Sequence, residues 1–147
     1  MPASTTSLFP DINVCVALTY EGHTHHSTAA NWFATLSPDA TLAFCRFTQL
    51  GLLRLLTTAA VMRDEVMTQP KAWAIYDRWL DDPRVEFVNE PIEIETRFRA
   101  LTRLRQPATK DWADSYLAAF ATSGQLTLVT FDRGLRSKTQ SSILLGE

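Results

Sequence analysis

Three aspartates stand where the surrounding pattern asks for no charge. Asp11 follows the apolar run Leu8-Phe9-Pro10. Asp114 precedes a nearly unbroken apolar stretch, Leu117-Ala118-Ala119-Phe120-Ala121. Asp132 comes two residues after Thr130, at the end of Leu126-Thr127-Leu128-Val129-Thr130. Carboxylates gathered at one point repel one another, and a hard cation such as Mg²⁺ or Mn²⁺, with oxygen ligands and retained waters, relieves that repulsion. An ion held in this way activates water and offsets charge on a phosphodiester. Each acid also has an ordinary use. Asp11 can cap the helix after it, Asp114 can sit favourably near a helix N-terminus, and Asp132 with Gly134 can make a turn. Chemistry requires that the fold bring the three together.

The elements that would do so can be read from the pattern. Leu8-Phe9-Pro10 ends a first strand, with proline tolerated only at an edge or terminal position. Asn13 to Thr19 is a helical turn or short helix, and His25 to Leu36 a longer helix stopped by Pro38. Thr41-Leu42-Ala43-Phe44 is a short strand. Thr48 caps an amphipathic helix through Leu50, Leu53 and Leu56 to about Ala60. A helix opens at Thr68-Gln69-Pro70, and Val85 to Val88 is a strand. Pro91 starts a helix through Ile94, Phe98 and Leu101. A further helix runs from Asp111, with Asp114 in its first turn, to Ser123, where Gly124 serves as a left-handed cap. Leu126 to Thr130 is the clearest strand, and Ser142 to Leu145 a final edge strand.

Strands alternating with helices predict an α/β domain with a mostly parallel sheet. Ligands of such sheets sit beyond the carboxyl ends of the strands, where Asp11 and Asp132 fall. The punctuation is short-range, without repeats or linkers, so residues 1–147 read as a single domain with its core from about 8 to 135. With 46% hydrophobic residues and a net charge of −2, the composition excludes a disordered chain, and any nucleic-acid contact must be local rather than global. The opening residues show no signal peptide, and no apolar stretch is long enough to span a membrane. Cys15 and Cys45 lie in apolar segments and read as buried thiols, in keeping with a cytoplasmic protein.

Four blocks, in order, resemble the PIN-domain family and its VapC-type toxins. Phe9-Pro10-Asp11-Ile12-Asn13-Val14 resembles the opening strand and its acid. Thr48-Gln49-Leu50-Gly51-Leu52-Leu53-Arg54-Leu55-Leu56-Thr57 resembles the second helix motif. The segment Trp112 to Ala121 resembles the one bearing the third acid, and Leu128-Val129-Thr130-Phe131-Asp132-Arg133-Gly134 the closing strand with the fourth. The resemblance implies a PIN-like α/β/α sandwich and an endoribonuclease dependent on Mg²⁺ or Mn²⁺. It also implies inhibition by a VapB-type antitoxin, and a homodimer. Carried over, Asp11 and Asp114 would be the principal metal ligands, with Asp132 supporting a second metal or the attacking water. Asn13 would help position the site, and Thr130 could hydrogen-bond a carboxylate. One departure stands out: Gln49 occupies the position where most PIN nucleases carry glutamate. It motivates an alternative, a non-catalytic or weakly active module that binds RNA or antitoxin. A third possibility, an aspartyl-phosphate phosphatase on Asp11, needs a second acid where Asn13 stands.

Arg46, Arg54, Lys110, Arg133 and Arg136 are the candidate RNA phosphate contacts, with Arg136 and Lys138 in a polar tail. Such contacts hold a backbone without reading sequence. His23, His25 and His26 tempt as a zinc or nickel site, but no partner acid or cysteine has matching spacing, and they read as solvated residues at a helix start. Asp64 and Glu65 fall after the second motif and are not candidates. Trp73, Tyr76 and Trp79 could stack bases, although their helical spacing favours packing.

Overall fold

The computed structural model describes residues 7–146, so residues 1–6 and 147 of the expected domain lie outside the described residues. Its strands are β1 (Ser7–Pro10), β2 (Thr41–Phe44), β3 (Val85–Phe87), β4 (Thr127–Thr130) and β5 (Ser142–Leu144). Its helices are α1 (Ile12–Thr19), α2 (His26–Ala34), α3 (Arg46–Leu56), α4 (Ala59–Met62), α5 (Gln69–Leu80), α6 (Ile94–Leu101), α7 (Thr109–Ser123) and α8 (Arg133–Arg136).

The five strands form one sheet in the order β3-β2-β1-β4-β5, with every pairing parallel. Parallel sheets must be covered on both faces, and the two-residue period of the strands divides the core accordingly. Leu8, Leu42, Phe44 and Val129 face one cluster, which includes Val14, Val16, Leu52, Leu56 and Tyr76 from α1, α3 and α5. Phe9, Ala43 and Leu128 face the other, with Leu117, Phe120, Ala121 and Leu135 from α7 and α8. The result is an α/β/α sandwich.

From β1 the chain crosses to β2 on one side, while β4 pairs on the other side of β1. The strand order therefore reverses between β1 and β4, which opens a crevice at their carboxyl ends. Pro10 occupies the last position of β1, where its missing donor does least harm. The ladder resumes at Asp11, whose N–H donates to Val129 O at 2.9 Å. On α3, the side chain of Ile12 fills the space that a Cβ on Gly51 would take, so α3 lies close against the start of α1. Phe9 and Phe120 stack at 4.9 Å between centroids and tie α7 to β1, a contact of the kind that contributes about 1 kcal/mol beyond its buried area.

Four local expectations are corrected. The N-cap of α3 is Cys45, not Thr48. Thr48 lies at the third helical position, where its hydroxyl accepts from the Cys45 N–H at 3.0 Å. That helix ends at Leu56 rather than Ala60, because Thr57 and Thr58 turn their hydroxyls back on the Arg54 carbonyl. Helix α7 starts at Thr109, which places Asp114 in its second turn rather than its first. Gly124 is in the right-handed region, and the left-handed residue is Gln125, with φ of 56°. Leu126 N–H bonds Ala121 O and Gln125 N–H bonds Thr122 O, which completes a Schellman ending. A Cβ at position 124 would stand 3.1 Å from Phe120 O, a tight approach that glycine avoids.

Candidate active site

Asp11 lies directly beyond β1 as the N-cap of α1. Its Oδ1 accepts from Val14 N–H at 2.9 Å, and its Oδ2 accepts from Thr130 Oγ1 at 2.6 Å. Asp132 lies beyond β4 and caps α8, with Oδ1 accepting from Gly134 N–H at 2.7 Å and Leu135 N–H at 3.2 Å. Thr130 joins the two acids, because its hydroxyl also accepts the Asp132 N–H at 2.9 Å. Asp114 enters from α7. The Lys110 ammonium, one turn earlier, stands 2.9 Å from Asp132 Oδ2 and 4.0 Å from Asp114 Oδ2. Three segments far apart in sequence thus meet at the β1/β4 crevice.

The electrostatics follow from this arrangement. Burial, then repulsion from Asp132 and Asp114, lifts the Asp11 pKa above the usual carboxylate value, against the opposing hydrogen bonds from Thr130 and Val14. Burial likewise lifts Asp114, with Asp132 adding to it and Lys110 opposing it. Asp132 goes the other way, held down chiefly by its hydrogen bond from Lys110. Two carboxylates raised chiefly by burial and a third held down by an ammonium make one electrostatically coupled cluster.

The donor set suits a hard ion, since every ligating atom on offer is a carboxylate oxygen. Among the described residues no three histidine, cysteine or acidic side chains close into a ready cage. An ion here would therefore keep much of its water, as Mg²⁺ commonly does.

The remaining candidates separate. Gln49 is buried and its carbonyl oxygen accepts from Arg46, whose guanidinium lies 4.8 Å from the centroid of the Phe87 ring. No hydrogen bond among the described residues links Gln49 to the three acids. Arg54 is exposed farther along α3. Arg133 and Arg136 flank the α8 cap of Asp132, so Arg136 lies in a helix rather than a polar tail, and Lys138 is ion-paired with Asp111. Trp73 is exposed, but Tyr76 is buried and Trp79 donates to Thr19 Oγ1 at 2.9 Å, so the three make no open stacking platform. Both cysteines are free and buried. A cavity of about 620 Å³ lies along α6, α7 and the loop after α8 and includes none of the three acids.

Sequence reasoning missed the surroundings of the histidines. His23 bonds Asn13, and His25 stacks on Phe131, which immediately precedes Asp132. Nothing in the spacing of Glu21 to His26 points to those distant partners.

The family model described as PIN domain matches residues 8–139, from the first strand to beyond α8. The chain belongs to the PIN-domain family. Ribonuclease VapC41 of Mycobacterium tuberculosis H37Rv is 41% identical to this PIN-domain protein over 129 residues, covering 85% of this chain and 88% of that protein. That places it among the VapC-type members. Among the solved structures that share the fold are two toxin structures. One is M. tuberculosis VapC20, described as a Sarcin-Ricin loop cleaving toxin, with a TM-score of 0.65 and 18% identity over 89% of this chain and 94% of that one. The other is VapBC2 of Rickettsia felis bound to a DNA fragment from its promoter, with a TM-score of 0.68 and 16% identity over 95% and 98%. No helix among the described residues of this PIN-domain chain is long and apolar enough to cross a membrane.

Proposed function

We propose that this PIN-domain protein is the ribonuclease toxin of a VapBC-type toxin–antitoxin pair, cleaving RNA phosphodiester bonds with Mg²⁺ or Mn²⁺. The observation that carries this reading is the meeting of Asp11, Asp114 and Asp132 at the point where the strand order reverses, with Thr130 bonded to both strand-end acids.

Asp11 and Asp114 would hold the ion, and Asp132 would support it or the attacking water. Such an ion, when bound, supplies an activated water and offsets charge on the phosphodiester. The chain's own residues do the rest. Thr130 and the Val14 N–H fix both oxygens of Asp11, so its carboxylate needs no reorganisation. Lys110, exposed beside Asp132, is placed to turn its ammonium to an RNA phosphate, and Arg133 on α8 lies next in sequence to that acid. A VapB-type antitoxin would be its partner, a reading supported by the VapBC2 complex among the structural neighbours, and the toxin would act as a homodimer; buried thiols suit work in the cytosol.

The replacement of the second acid by Gln49, already paired with Arg46, favours one rival reading, a module that binds RNA without cutting it. Incubation of total RNA with the protein and Mg²⁺ or Mn²⁺ separates the two. Cleavage that stops with chelator and is lost in Asp114→Asn is expected. Intact RNA under every metal would leave the binding module, and cleavage that survives chelator would end the metal-dependent reading.

A further inference from the structure

The three histidines between α1 and α2 have three different tasks, and hydrogen-bond chemistry assigns a proton to two of them. The Nδ1 of His26 lies 2.7 Å from the Ala17 carbonyl, which can only accept, so His26 donates and staples α2 to α1. His23 is the reverse case. Its Nδ1 receives the backbone N–H of His25 at 3.0 Å, and a backbone N–H can only donate. The Nδ1 of His23 therefore carries the lone pair and its Nε2 carries the proton. That Nε2 stands 3.0 Å from the side-chain oxygen of Asn13. A donor at this place demands the amide oxygen of Asn13, which leaves the amide nitrogen, with two hydrogens, to other partners.

The location gives this chain of bonds its use. Asn13 is exposed two residues after Asp11, near the start of α1. The ring of His25 holds the loop from the other side, stacked at 4.7 Å on Phe131 next to Asp132. The histidine loop is thus anchored to a residue close in sequence to each of the two strand-end acids.

We propose that His23 is a positioning residue that fixes the Asn13 amide with its nitrogen directed to substrate, where it donates to a phosphate oxygen of the bound RNA. The proposal rests on the ribonuclease reading for the identity of the ligand. Without His23 the amide is free to rotate and presents its oxygen, a repulsive partner for phosphate, part of the time. Burial lowers the His23 pKa, in keeping with a neutral ring.

The test uses the whole chain in two arms, neither of which needs cleavage. Long-range ¹H–¹⁵N correlation spectra should show His23 protonated at Nε2. Fluorescence anisotropy with an RNA oligonucleotide in chelator should show Asn13→Ala weakening binding by about tenfold, the scale of a hydrogen bond to a charged group. His23→Phe should weaken it by a smaller factor, and the double variant should be no worse than Asn13→Ala alone. His23→Gln, which keeps an N–H donor, should recover most of the loss and also controls for folding. Protonation at Nδ1, additive losses in the double variant, or no RNA binding by the wild-type chain would each overturn the proposal. Binding with the expected coupling but without cleavage in metal would end the ribonuclease reading and leave this one standing.

Discussion

Thr130 Oγ1 donates to Asp11 Oδ2 at 2.6 Å across 119 positions of chain, and the same hydroxyl accepts the Asp132 N–H at 2.9 Å. One fully buried side chain therefore sets the spacing of two acids. Thr130→Val keeps the shape and removes both bonds. It should cost about 1–3 kcal/mol of stability, since a buried carboxylate oxygen and an N–H lose their partners, and should lower RNA cleavage at least tenfold (about 1.4 kcal/mol). Thr130→Ser should retain most of both. Denaturant unfolding and a cleavage assay check this, and a valine variant matching wild type in both would contradict it.

Asp11 and Asp132 should respond oppositely to neutralisation. Burial raises the Asp11 pKa, so the folded state keeps its proton to higher pH than the unfolded chain does. Ionised Asp11 then costs stability above its folded-state value, and that cost fades as pH falls toward the ordinary carboxylate value of about 4. In metal-free buffer at neutral pH, Asp11→Asn should melt above wild type while losing cleavage, and the gap should close in acid. The Lys110 bond lowers the Asp132 pKa, so its stabilisation is present above the ordinary carboxylate value and is lost as pH falls through the folded-state one. Asp132→Asn should melt lower at neutral pH. Calorimetry across pH decides, and a less stable Asp11→Asn would refute the assignment.

Lys110 competes for the acids that would hold a metal. Lys110→Met leaves Asp114 and Asp132 without their ammonium. Calorimetric titration should show Mn²⁺ binding tighter by severalfold, while cleavage falls because a phosphate contact is gone. Unchanged or weaker Mn²⁺ binding would argue against competition.

Gln49→Glu restores the acid that the family resemblance implies, yet Arg46 is already there to receive it. Cleavage should change by less than about threefold, some 0.6 kcal/mol. A gain far beyond that, measured on the same RNA, would show that the missing acid limits this protein.

Much of this site was legible in the sequence because strands end abruptly. The β-branched run before Thr130 and the proline before Asp11 marked two strand termini, and a parallel sheet puts such termini on one edge. Helix boundaries were less legible. Cys45 is not among the residues that favour caps, and the left-handed turn falls on Gln125 rather than on the neighbouring glycine, which the spacing does not signal. The partners of the histidines were not legible at all. His23 meets Asn13 and His25 meets Phe131 only after α1 and β4 have folded beside each other.

If Asp11, Asp114 and Asp132 share one divalent cation, substoichiometric Mn²⁺ will show it through paramagnetic broadening of backbone amide signals. Signals beside the three acids should broaden together, before those of His23 to His26 or of Asp64 and Glu65. Asp11→Asn and Asp114→Asn should each suppress the effect. Broadening centred on the histidines, or unchanged in both variants, would contradict a shared ion.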